Sequence, residues 1–157
     1  MRRSLTLATL ALLAAAAVAT AAPDAGKPLS LDGVKAVADR GSWGHHVAAP
    51  ELLDGDEEKG WTSGPMDLTQ TPANLFLLFP QPTAVGQVEV ITLTSKGSLR
   101  LTALEVYARA GEGWAPLGSV RGNREERLRL ALRPAKVTCL RLRLRDTGRE
   151  DHAWAQI

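Results

Sequence analysis

The string GSWGHHVAAP, residues 41–50, sets an indole and two imidazoles close together: Trp43, His45 and His46. A flat aromatic face takes the C–H face of a sugar ring, and planar polar groups beside it take the hydroxyls. This stretch is therefore the leading candidate for a ligand site. The opposed reading packs Trp43 under its loop and leaves the histidines solvated. His45 and His46 are adjacent and point to opposite sides on extended backbone. No cysteine or third histidine stands nearby to complete a metal set of the zinc kind. Arg121 and Arg124 fall in a later connection, where they can meet anionic groups of a ligand or simply be solvated.

A second cluster is acidic: Asp54, Asp56, Glu57 and Glu58 lie in LLDGDEEKGWTSG, residues 52–64. A glycosidase pair needs carboxylates set apart across a cleft, which acids in one turn do not provide. No nucleophile elbow, phosphate-cradling glycine loop or HExxH pattern is present. The chain is expected to be non-catalytic.

The third feature is a run of arginines in alternation. Arg127, Arg129 and Arg133 interleave with Leu128, Leu130 and Leu132, and Arg141, Arg143 and Arg145 interleave with Leu140, Leu142 and Leu144. If the leucines face inward, the arginines form a basic sheet face. Such a face can bind acidic polysaccharide or anionic lipid. It can equally be balanced by acids across the sheet, Glu89 and Glu105 among them.

Period-two alternation of this kind places these side chains on strands with one wet and one buried face. Strands are expected at 34–38, 74–79, 85–94, 99–110, 114–117, 127–133, 140–145 and 152–157, with a long polar loop over 39–64. Arg, Glu and Leu also favour helix at 125–132, but the strict alternation there favours strand. Many short strands separated by turn residues predict a β-sandwich.

Arg2 and Arg3, an apolar run over 5–18 and Ala19-Thr20-Ala21 read as a cleaved Sec signal peptide over 1–21. The run is short for a membrane span, so no stable membrane insertion is expected after cleavage. A proline-rich linker over 22–30 and one domain over 31–157 follow. Removing Arg2 and Arg3 from 19 bases leaves 17 against 17 acids, so the mature chain is near neutral. That balance, without exposed aromatics interleaved among the arginines, argues against nucleic acid as a partner. Cys139 is the only cysteine, which excludes an internal disulfide. It is either a buried hydrophobe, the favoured reading, or a dimerising thiol. Localisation is expected to be periplasmic or secreted.

The order of several short motifs resembles discoidin-type domains, the C-type domains of coagulation factors and related carbohydrate-binding modules. Leu52-Leu53-Asp54-Gly55-Asp56 followed by Trp61-Thr62-Ser63 looks like that family's first-loop signature. Phe76-Leu77-Leu78-Phe79 with Pro80 and Pro82, Val106-Tyr107-Ala108 with Gly113-Trp114, Leu140-Arg141-Leu142 and Ala155-Gln156-Ile157 follow in the family's order. The resemblance spans about 34–157. It implies an all-β, galactose-binding-like fold, a jelly-roll β-sandwich of about eight antiparallel strands, with ligands taken by loops at one end. It also implies that Trp61 and Trp114 lie in the core.

Many relatives hold a structural calcium beside the first loop. By position, the resemblance implies ligands from Glu51 (its carbonyl), Asp54, Asp56, Ala155 and Gln156. Lys59 stands where relatives usually have Thr, and Gln156 where they usually have Glu. Three outcomes stay open: a bound calcium, replacement of the ion by the Lys59 ammonium, and an ordinary Asp-Gly turn. The expected function is an exported recognition module that binds a cell-wall or extracellular carbohydrate through its loops. The alternatives are a protein-interaction domain of an envelope assembly and a binder of anionic surfaces.

Overall fold

The computed structural model describes residues 28–42, 46–55, 60–63, 68–92 and 100–148. Six strands are present among them: β1 (Lys35–Ser42), β2 (His46–Ala48), β3 (Ala73–Ile91), β4 (Ala103–Ala110), β5 (Gly113–Val120) and β6 (Arg127–Asp146). One 3-10 turn, Pro50–Leu52, lies between β2 and β3. The strands hydrogen-bond in the order β2-β1-β3-β6-β4-β5, every pair antiparallel. No helix of the described residues is long and apolar enough to cross a membrane.

The alternation in the sequence sets which face is buried. Leu104 and Val106 on β4, and Leu140, Leu142 and Leu144 on β6, turn into one core with Leu75 of β3 and Trp61. Leu128 and Leu132 do the same from the first half of β6, and Leu52 and Leu53 pack against this core from the first loop. The 125–132 segment is strand from Arg127 onward, because cross-strand pairing with β3 outweighs its helix propensity.

The two long strands are each bent at proline. On β3, residues 79–82 stand opposite the single residue Thr138, between the pairs Leu78↔Cys139 and Thr83↔Val137. Pro80 and Pro82 lie in that excursion, and neither can donate to a ladder. On β6, residues 132–134, with Pro134, stand opposite Gly86, between Val85↔Ala135 and Gln87↔Ala131. The strands expected separately at 74–79 and 85–94 are therefore one bent strand, as are those expected at 127–133 and 140–145. Counting each half of β3 and β6 gives the eight segments of a jelly roll.

Bending doubles the β3/β6 ribbon back on the sheet. The amide of Thr92, just past β3, donates to the carbonyl of Glu126, just before β6, at 2.8 Å. The first half of β6 passes close to β5: a Cβ added at Gly118 would lie 3.1 Å from the Ala131 carbonyl oxygen. β4 and β5 are joined by a two-residue turn in which Gly111 takes φ +57, where a side chain would be strained.

The first strand runs further than the expected 34–38, to Ser42, and the stretch expected as loop also holds β2 and the 3-10 turn. A strand at 152–157 lies outside the described residues.

Candidate functional site

The ends of several strands meet at one end of the sandwich. β1 runs antiparallel to β3 from Lys35↔Leu78 to Ala38↔Leu75, which puts the C-terminal end of β1 beside the start of β3. Ala73 pairs with Leu144, and Leu104 pairs with both Leu144 and Val120, so the end of β6, the start of β4 and the end of β5 gather there too. The β1–β2 connection leaves from this end, with Ser42 paired to His46. Trp43 and His45 lie outside the described residues, and of His46 only the backbone, at the head of β2, is placed.

The 121–126 connection is built as a clip. The Asn123 amide Nδ2 donates to the carbonyls of Leu101 (2.9 Å) and Glu125 (2.7 Å), while its Oδ1 accepts from the Glu125 amide at 3.2 Å. Its own backbone N–H donates to the Thr102 carbonyl at 3.0 Å. Gly122, at φ +69, makes the sharp reversal before it. Arg121 and Arg124 stand exposed on either side of this pinned asparagine. The clip therefore presents two cations at the end from which the Trp43 loop departs.

Of the groups that the family resemblance assigns to calcium, Glu51 and Asp54 are described; Asp56, Ala155, Gln156 and also Lys59 lie outside. Glu51 sits in the 3-10 turn and Asp54 is exposed, next to Gly55 at φ +79. Calcium takes six to eight oxygens. Among the described residues no three His, Cys, Asp or Glu side chains are grouped to hold a metal ion, so these two alone do not make a site.

The arginine stripe is largely balanced. Glu89 accepts from Arg127 Nη1 at 2.8 Å and also from Arg129 Nε. Those two hydrogen bonds, Arg127's first, hold the Glu89 carboxyl below its ordinary range. Glu105 faces Arg143 at 3.7 Å and Arg145 at 3.8 Å. Arg141 is bonded to Asn74 Oδ1 at 2.9 Å, and Asn74 in turn donates to Asp39.

Sequence reasoning missed an aromatic patch on the sheet face turned away from the core. Phe76, Arg141, Tyr107 and Pro116 form one row across β3, β6, β4 and β5. The Arg141 guanidinium lies 5.2 Å from the Tyr107 ring centre and 5.5 Å from that of Trp114. Arg109 lies over Trp114 at 5.5 Å. Trp114, expected in the core, is thus half-buried on the outer face, whereas Trp61 is fully buried as expected. The signal was available: Phe76, Tyr107 and Arg141 each sit between two inward-facing apolar residues, and so must face out. Cys139 shares this face, half-buried, and burial raises its thiol pKa.

No family model and no curated protein matches the chain. Solved structures do. The chain superposes on the CBM32-1 and CBM32-2 domains of ZmpB from Clostridium perfringens with a TM-score of 0.66 at 15% identity, covering 81% of this chain and 34% of that one. A second match is CpGH89CBM32-5 from Clostridium perfringens, in complex with GalNAc-β-1,3-galactose: TM-score 0.61, 16% identity, 78% of this chain and 90% of that one. A third is chitosan-binding module 2 of a chitosanase/glucanase from Paenibacillus sp. IK-5, in complex with chitotriose: TM-score 0.60, 11% identity, 76% of this chain and 89% of that one. The chain spans about a third of the length of the first of these. The fold is therefore the galactose-binding-like, discoidin-type β-sandwich.

Proposed function

We propose that this chain is an exported, non-catalytic module that binds a cell-wall or extracellular carbohydrate through the loops at one end of its sandwich. The observation that carries the reading is the shared fold: two of the three superposed modules hold a saccharide. The strand ends supply a fitting scaffold, since the clip of Asn123 holds Arg121 and Arg124 at the end where the Trp43 loop leaves β1. Trp43 would supply the ring face and His45, His46, Arg121 and Arg124 the polar contacts. Removal of residues 1–21 as a signal peptide would place the module in the periplasm or outside the cell.

The test is a glycan panel probed with residues 22–157 at low and high salt, with Trp43→Ala in parallel. Binding that survives salt and is lost in Trp43→Ala supports the loop site. Binding that survives the substitution overturns the loop assignment. Binding to no glycan overturns the carbohydrate reading and makes a protein-interaction role the leading one.

A further inference from the structure

A pocket of about 360 Å³ opens against β4 and β5, beginning one register step from the loop end at the Glu105↔Ser119 pair, lined in part by Glu105, Tyr107, Pro116, Ser119 and Arg133. It is made by an irregularity in the β4–β5 ladder. Val106 pairs with Gly118 and Tyr107 with Pro116, so Leu117 is an extra residue in β5. Leu117 is buried, and the bulge leaves Pro116 and Ser119 exposed at the edge strand. β6, doubled back beside β5, brings Arg133 to the same place.

The lining is chemically divided. Tyr107 and Pro116 are direct cross-strand partners and give an apolar wall. Arg141 covers the Tyr107 ring from the β6 side, while Pro116 stands on the β5 side. The Tyr107 hydroxyl donates to Glu105 Oε2 at 2.9 Å, which fixes the carboxylate at the pocket wall. Glu105 does not make the pocket acidic, because Arg143 and Arg145 face it at 3.7 and 3.8 Å. Arg133 differs from the stripe arginines that meet Glu89 and Glu105: its Nη2 donates to a neutral group, the Pro116 carbonyl, at 2.9 Å. That bond orients the guanidinium and leaves its charge uncompensated among the described residues.

We infer that this pocket is a second saccharide subsite that takes an acidic pyranose, a sugar ring carrying a carboxylate. Arg133 pairs the carboxylate, Glu105 and Ser119 take ring hydroxyls, and the C–H face lies on Tyr107 and Pro116. A neutral sugar would leave the guanidinium without an anion, and an ammonium sugar would be repelled by it. This inference rests on the carbohydrate-binding reading, but it concerns residues that the loop site does not use.

The test is titration of the 15N-labelled chain with trigalacturonic acid and, separately, with neutral galactotriose, followed by NMR. Trigalacturonic acid is expected to shift the amides of Gly118 and Ser119 and the Nε–H of Arg133. Arg133→Gln and the pocket-filling Ser119→Trp should each weaken that binding by about tenfold or more, while Trp43→Ala leaves it unchanged. Shifts confined to the neighbourhood of 43–46 and 121–124 would overturn the pocket and leave the loop reading standing. Pocket shifts that persist in both pocket variants would overturn it as well. Absence of shifts with either probe, together with a blank glycan panel, would overturn both readings.

Discussion

The ring of Trp114 stands 5.7 Å from that of Phe76, at a tilt of 42°, although β5 and β3 are separated by β4 and β6. Three strand spacings of about 4.8 Å put their backbones roughly 14 Å apart. The indole must therefore lie down across the sheet, over the guanidinium of Arg141, to reach its partner. Long side chains from four strands close this outer face: Phe76, Arg141, Tyr107 and Trp114.

That geometry makes Trp114 a stabilising residue outside the core. Trp114→Ala removes an aromatic pair and contacts with two guanidinium groups, and is expected to destabilise the fold by about 2 kcal/mol, less than a fully buried tryptophan would. Trp114→Phe should recover part of it. Urea denaturation at neutral pH measures both, and a loss of only a few tenths would show that the tilted pair contributes nothing.

Glu89 gives the pH dependence a sign. Its pKa is lowered in the folded protein, by Arg127 and then Arg129, so its contribution is present above the unfolded carboxylate pKa and is lost as pH falls through the folded one. The side chains are about a third to two-thirds exposed, which keeps the contribution under about 1 kcal/mol. Glu89→Gln should lower the urea midpoint at pH 7 and lower it less at pH 3, and added salt should shrink the difference at pH 7. A midpoint shift equal at both pH values would assign the effect to packing instead.

The sandwich was legible because Leu128, Leu130 and Leu132, then Leu140, Leu142 and Leu144, keep period two within each half of β6, as Leu104, Val106 and Ala108 do on β4, and these runs fold as the alternation requires. Continuity was not legible. Prolines at 80, 82 and 134 read as strand breakers, yet each sits in an excursion where the ladder skips and the chain carries on in strand. Balance across the arginine face was legible from Glu89 and Glu105. The aromatic patch was legible only in part: the alternation turns Phe76, Tyr107 and Arg141 outward, but Trp114 belongs to a position that is core in the family resemblance, and only its contacts with Phe76 and Arg141 show that it crosses the outer face. The Arg133 pocket depends on a one-residue bulge at Leu117, a register detail that no composition or periodicity encodes.

The calcium question turns on charge. Asp54 and Asp56 are the two carboxylates that the resemblance offers, and Lys59 falls in the same segment, so a divalent ion there would meet a net charge of only −1 from these three side chains. The resemblance implies Thr and Glu at the positions of Lys59 and Gln156, a pair that would remove one positive charge and add one negative. The ammonium, paired with an aspartate, is expected to take the place of the ion. Calorimetry on metal-stripped protein should therefore give a calcium dissociation constant weaker than about 1 mM, the weak end of extracellular sites. The double variant Lys59→Thr, Gln156→Glu should bind at least tenfold more tightly, and Lys59→Ala without calcium should be less stable than the parent chain, since it leaves the acidic turn without its counter-charge. Sub-millimolar binding by the unaltered chain would overturn the lysine substitution, and failure of the double variant to bind would show an ordinary Asp-Gly turn in which neither ion nor ammonium has a structural role.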